Sequence, residues 1–381
     1  MPRRIQWGAM TYYPSRDDWQ VKAPPALGMS DDGLRAAMEY HTTHESSWRR
    51  DFLTASGRYI GVADEPETPE DVLGPVRERG GPNGLILRGG YIVAEWGDTR
   101  RPDMTFSAAK SYLAALAGLA VARGLIRSID DPVRDSVRDG GFESAQNRAI
   151  TWRQLLQQTS EWQGTLWDKP DSIDHNRDVG KSELGAAEKG QPRPLRPPGT
   201  LWEYNDVRVN RLSLALLQVF RRPLAELLKA AVMDPIGASS DWEWQPYRNA
   251  WVEIDGVRMP SVPGGSHWGG GLSMGSRDHA RFGLLIHRDG RWEGRELIPK
   301  SWIDEMRRPC PINPEYGLFW WLNTGRAQFP SAPESCYAAK GAGSNVIWID
   351  PAHDLVAVVR WIDKQSVDGF VKLVVESVRS A

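Results

Sequence analysis

Thr105-Phe106-Ser107-Ala108-Ala109-Lys110-Ser111 leads into the longest apolar run of the chain, Tyr112 to Ala122. The run predicts a buried helix, and residues three apart on a helix share a face. Ser107 and Lys110 therefore stand side by side at the end where backbone N–H groups lack partners. A serine hydroxyl is a poor nucleophile until a base takes its proton. A lysine amine serves as that base if burial lowers its pKa from about 10.4 toward neutrality. This is the one Ser-x-x-Lys in the chain. A capping serine followed by a surface lysine produces the same four letters, so partners further along must decide.

Upstream, Gly84 to Arg88, Gly89-Gly90 and Tyr91 to Trp96 read as a β-hairpin with a two-residue turn. Downstream, helices are expected at Thr151 to Gln158, Val209 to Leu228 and Arg277 to His287. Strands are expected at Tyr316 to Leu322, Asn345 to Asp350 and Leu355 to Trp361, and an amphipathic helix runs from Val367 to Val378. Strands at both ends with helices between them imply an α+β fold, an antiparallel sheet flanked by helices. Residues 1–50 read as an N-terminal extension holding a helix after Ser30-Asp31-Asp32-Gly33. Residues 51–381 form the main domain, an α/β part (51–135 and 276–381) with a mostly helical insertion (136–275). Within the insertion, residues 160–203 form a loop rich in Pro, Gly, Asp and Lys, a length that usually serves function.

Composition narrows the partners. The chain has 381 residues, 40% hydrophobic and 25% charged, with a net charge of −2, so a large core is expected and nucleic acid is not. The run from Tyr112 to Ala122 is too short to span a bilayer, and no apolar segment follows the basic N-terminus. A cytoplasmic, membrane-independent protein is expected. Cys310 and Cys336 make no metal or redox pattern. His41-Thr42-Thr43-His44-Glu45 lacks the spacing and third ligand of a metal site, so capping or surface roles are expected there. Eighteen tryptophans exceed ordinary usage. Most pack the core, whereas Trp162, Trp167, Trp202 and Trp268 flank the motifs below and are candidates for an aromatic pocket wall.

The partners of Ser107 carry a resemblance. Pro198-Gly199 is followed by Tyr204-Asn205-Asp206, and Ala339-Lys340-Gly341-Ala342-Gly343-Ser344-Asn345 opens a strand. Together with Ser107-x-x-Lys110, this order resembles the serine β-lactamase-related superfamily, which holds class C β-lactamases, penicillin-binding proteins and their esterase and 6-aminohexanoate-dimer hydrolase relatives. Gln154 to Ser160 resembles the family's Leu-Leu-x-x-Thr-Ser-Gly, with Glu161 where glycine is usual. Trp268 to Asp278 resembles its Gly-Gly-Leu-x-Ser-Thr-x-x-Asp. The resemblance spans roughly residues 80–380 and implies a β-lactamase/transpeptidase-like fold.

It also implies a site. Tyr204 matches the family tyrosine that faces the Ser-Lys pair, and Gly341 matches the glycine of Lys-Thr-Gly. The N–H groups of Ser107 and Ala342 then form the oxyanion hole. The chain departs from the pattern twice. Asp206 stands where asparagine is usual, and a carboxylate near Lys110 holds the lysine proton more tightly. Either Asp206 points away, or Tyr204 phenolate is the base beside a charged Lys110. The cation of Lys-Thr-Gly falls on Ala339, and Lys340, one step along a strand, faces the other side. Both departures point toward the esterase and 6-aminohexanoate-dimer hydrolase branch. The expectation is therefore a serine hydrolase that cleaves a small-molecule carboxylic ester or small amide through a Ser107 acyl-enzyme, with no metal or organic cofactor. Gly341, Asp206, Trp162, Trp167, Trp202, His267 and Trp268 are candidate pocket residues. The rival readings are a β-lactamase or D-Ala-D-Ala-type peptidase and a catalytically idle scaffold.

Overall fold

The computed structural model describes residues 12–53, 57, 72–179, 188–265 and 269–379. Its α-helices are α1 (Asp31–Thr43), α2 (Ala109–Ala122), α3 (Trp152–Leu156), α4 (Asp206–Phe220), α5 (Leu224–Leu228), α6 (Ser276–His287), α7 (Lys300–Met306) and α8 (Val367–Glu376). Six strands pair into one antiparallel sheet. Their order is Trp321–Leu322, Tyr337–Gly341, Asn345–Asp350, Leu355–Arg360, Asn83–Arg88 and Tyr91–Trp96.

Successive side chains on a strand point to opposite faces, and both faces here are apolar. Ile86, Ala338, Val346, Trp348, Ala357 and Val359 meet Leu34 and Ala37 of α1 and Phe370, Val371 and Val374 of α8. Leu85, Leu87, Ala339, Ile347, Ile349, Val356 and Val358 meet the larger core that includes α2 and α6. The result is the expected α+β fold. Helix α2 is buried from Ala109 through Ala120, which explains its uniform apolarity.

The hairpin expected at 84–96 is present, with both turn glycines at positive φ. Ser30 caps α1 by accepting the Gly33 N–H, and Thr151 closes a capping box with Gln154 at α3. The helix expected from Val209 to Leu228 is instead two helices. Arg221 takes a left-handed φ of 53° and Pro223 begins the next segment, so the hydrogen-bond ladder stops between them. The strand expected from Tyr316 shortens to Trp321–Leu322, because Phe319 turns the chain with φ of 57°. Gly341, read as opening the Asn345–Asp350 strand, instead ends a strand of its own, Tyr337–Gly341.

Residues expected as an N-terminal extension are stitched into the body. Val21 bridges to Ile92, Met29 to Val378 and Glu45 to Ile362. His41, expected at a surface or cap, is fully buried between Trp96 and the sheet. The Trp96 indole donates to its Nδ1 at 3.0 Å, and its Nε2 donates to the Arg360 carbonyl at 3.0 Å. Burial pushes this imidazole down to about 4, against the pull of that backbone bond, so it packs as a neutral ring. The insertion is joined to the α/β part by a small sheet of Asp103–Met104, Gly271–Met274 and Glu243–Gln245. Among the described residues no helix is long and apolar enough to cross a membrane.

Candidate active site

Ser107 lies in a single 3₁₀ turn, Phe106–Ala108, directly before α2. The residue before it, Phe106, holds a positive φ of 49°, a region that side chains avoid. Its ring is gripped edge-on by Trp48 at 5.5 Å, Phe52 at 5.7 Å and Trp361 at 6.2 Å. Aromatic packing thus offsets a strained backbone one residue from the hydroxyl, an arrangement typical of functional turns. The expected face-sharing of positions 107 and 110 is realised. Lys110 Nζ donates to Ser107 Oγ at 2.8 Å, and the lysine is almost fully buried beneath it.

Asp206 points at this lysine. Its Oδ1 is 2.5 Å from Lys110 Nζ, and its Oδ2 accepts from Arg177 Nη1 at 2.7 Å. Asp206 is the first residue of α4, and its own N–H donates to Asp174 Oδ2 at 2.8 Å. Burial works against the Arg177 charge, but Asp206 and Asp174 outweigh it and hold the guanidinium more firmly protonated than usual. Asp206, expected on the pocket wall, is instead buried below Lys110 with both oxygens engaged. Gly265 lies alongside, since a Cβ there would stand 3.5 Å from Lys110 Nζ.

Tyr204 meets the lysine through its ring, with Nζ 4.6 Å from the ring centroid. Arg177 lies over the same ring at 5.3 Å. The phenol ring is held by Trp321, stacked at 6.0 Å, and by Tyr316 and Trp202 at 6.4 Å and 6.2 Å. Trp202 is therefore a buried support behind Tyr204.

The strand Tyr337–Gly341 runs its end against the serine turn. A Cβ on Gly341 would stand 2.1 Å from the Thr105 carbonyl oxygen, so only glycine lets the two backbones meet. Gly341, a candidate pocket residue, is thus pressed on that side against the chain's own backbone. Ala342 follows in the turn, and its carbonyl accepts from Asn345 Nδ2 at 2.6 Å. Lys340 is turned away, as the period of a strand requires. It donates to Gln328 Oε1 at 2.6 Å and lies over the Phe329 ring at 4.4 Å. Burial pushes the Lys340 amine down to about 8, although Glu315 pulls the other way.

Other candidates fall elsewhere. Trp162 is buried and donates its indole N–H to Gly141 O at 2.7 Å, so it packs core rather than lining a pocket. Trp167 meets Tyr247 edge-on at 5.5 Å. His267 and Trp268 lie outside the described residues. Glu161, which stands where the family motif has glycine, is fully buried. It accepts from Arg193 at 2.6 Å and 2.8 Å, from Arg208 at 2.7 Å and from the Arg196 N–H at 2.9 Å. Its φ of 47° shows why a glycine suits this position in related chains. Among the described residues no group of three or more His, Cys, Asp or Glu side chains is placed to hold a metal ion. Arg177, Asp174, Tyr316 and Trp321 escaped the sequence reading. The available signal was Asp206 itself, because an acid buried beside a motif calls for a cation.

This is a strained serine turn, a buried lysine against its hydroxyl and a glycine-ended strand behind both, on an α+β scaffold. Residues 89–369 match the family model described as beta-lactamase, and the chain belongs to that family. Members of this family are serine hydrolases. No curated protein sequence matches the chain. Among solved structures it is similar to a penicillin-binding protein homologue from Caulobacter crescentus. That match has a TM-score of 0.59 at 16% identity and covers 92% of this chain and 99% of the other. It is similar also to a Bacillus anthracis protein assigned as a 6-aminohexanoate-dimer hydrolase, with a TM-score of 0.55 at 16% identity over 96% and 97% of the two chains. A third is EstCE1, a hydrolase with promiscuous acyltransferase activity, with a TM-score of 0.55 at 14% identity over 78% and 93%.

Proposed function

We propose that this protein hydrolyses a carboxylic ester, or a small amide, through an acyl-enzyme on Ser107. The observation that carries the reading is the 2.8 Å bond between Lys110 Nζ and Ser107 Oγ. Lys110, reacting as the amine, takes the hydroxyl proton as Oγ adds to the carbonyl carbon. The N–H groups of Ser107 and Ala342 receive the developing oxyanion, and each such donor is worth about 100- to 1,000-fold in rate. The proton then passes to the leaving oxygen or nitrogen through the Tyr204 hydroxyl. Water, deprotonated by the same amine, releases the acid and regenerates the serine. Lys340 turned toward Gln328, with alanine at 339, argues against recognition of a β-lactam carboxylate.

Hydrolysis of p-nitrophenyl esters compared with nitrocefin tests the substrate class. Ester turnover without nitrocefin turnover is expected, and the reverse ranking would make the protein a β-lactamase. A fluorophosphonate that leaves no mass adduct on Ser107 would favour an idle scaffold.

Tyr204→Phe tests the proton route. An alkyl ester needs a proton on its leaving oxygen, and a p-nitrophenyl ester does not. The variant is expected to lose about 100-fold on ethyl esters and little on p-nitrophenyl esters. Equal losses on both would make Tyr204 the base, and no loss on either would remove it from the scheme.

A further inference from the structure

Asp206 poses a problem for any scheme in which Lys110 is a base. A carboxylate oxygen stands 2.5 Å from the Lys110 amine, so a buried negative charge faces the group that must accept the serine proton. The other oxygen of the same carboxylate is taken by Arg177 at 2.7 Å. Arg177 also lies 3.5 Å from Asp174, which itself bonds the Asp206 N–H. Loop and helix are thus tied at one point, and Asp174 and Asp206 are both buried, where charges are weakly screened.

We propose that Arg177 is a positioning residue that sets the pH at which Ser107 becomes reactive. Its guanidinium draws on the Asp206 charge, weakens the carboxylate's hold on the Lys110 proton and frees the amine closer to neutrality. The inference rests on the serine-hydrolase reading above. It explains how the chain tolerates an acid where its relatives carry an amide, since the compensating cation comes from a separate loop.

Among the described residues, few charged or titratable groups surround Lys110. Asp206 and Tyr204 face it from α4 and the segment before it, and Ser107 from its own turn. Arg177 and Asp174 stand behind Asp206, with Lys189 Nζ 3.5 Å from Asp174 Oδ1. Tyr316 lies beyond Tyr204, and burial drives its phenol well up, so it stays neutral. Lys340, on the strand packed behind the serine turn, points at Gln328.

The test is the rate of fluorophosphonate labelling of Ser107 against pH, read by intact mass. It compares the parent with Arg177→Ala, Arg177→Lys, Asp206→Asn and the Arg177→Ala/Asp206→Asn double variant. Arg177→Ala is expected to move the midpoint of the rising limb up by about one pH unit, with labelling near pH 7 slowed about tenfold and recovered in alkali. Arg177→Lys restores most of the loss. In the Asp206→Asn background, removing Arg177 leaves the midpoint in place, because no carboxylate remains to be moderated. If Arg177→Ala does not fold, Arg177→Gln keeps a donor without the charge and is read the same way. An unmoved midpoint, or an equal shift in the Asp206→Asn background, overturns the proposal alone. A parent that labels at no pH overturns the serine-hydrolase reading and this inference with it.

Discussion

Ser107→Ala is expected to abolish turnover while leaving the molecule folded. The hydroxyl is the only atom at this position able to bond a carbonyl carbon, and its loss leaves oxyanion donors with no nucleophile to serve. Removal of the nucleophile in serine hydrolases costs about a million-fold in kcat. Folding is spared because the side chain is partly exposed, and Lys110 keeps Asp206 as its partner. Steady-state hydrolysis of a p-nitrophenyl ester, beside a thermal unfolding scan, measures both halves. Parental turnover in the variant would remove Ser107 from the chemistry. A collapsed melting temperature would mean that the lost rate reports unfolding.

Glu161→Ala is expected to have the largest effect on stability. Two arginines converge on this fully buried carboxylate, Arg193 with two bonds and Arg208 with one, and Glu203 and Asp171 share the same guanidiniums. Removing one partner leaves buried charge without compensation, a change that costs about 3–5 kcal/mol. Glu161→Gly is expected to cost about 1 kcal/mol less than Glu161→Ala, because glycine accepts a φ of 47° without strain. Chemical denaturation of the three proteins ranks them, and an alanine variant as stable as the parent would show that the network contributes nothing.

The same residue predicts an acid limit. Burial alone would raise the Glu161 carboxyl, but Arg193, Arg208 and the Arg196 N–H outweigh it and hold the group near 2, against 4.5 when free. A depressed folded-state value gives stability that is complete above about 4.5 and lost as the pH falls toward 2. The stability gap between parent and Glu161→Ala should therefore narrow over that window. A gap that stays constant down to pH 2 would assign the cost to lost packing rather than lost charge.

Legibility followed distance along the chain. The Ser107–Lys110 contact spans three residues and is imposed by helical geometry, so spacing alone revealed it. The hairpin at 84–96, the Ser30 cap and the Thr151 capping box are equally local. Reading failed where a single residue overrode a pattern. Arg221 and Phe319 each take a positive φ inside otherwise regular runs, and nothing in side-chain type announces it. His41 looked like a polar position, yet Trp96 and the Arg360 carbonyl satisfy both its nitrogens inside the core.

The amino-acid order by itself determined the α+β class and the serine with its lysine, because periodicity and short spacings constrain backbone geometry directly, and Tyr204 and Gly341 were marked out by their resemblance to family motifs. Tertiary structure alone decided what the departures from that set mean. Asp206 turned out to face Lys110, and Arg177, brought over from a loop 29 residues upstream of it, divides its charge. Glu161 proved to be the anchor of a buried ion network. Such pairings arise from how distant segments pack, and the energy that orders them is set by burial and neighbouring charge, which no local pattern encodes.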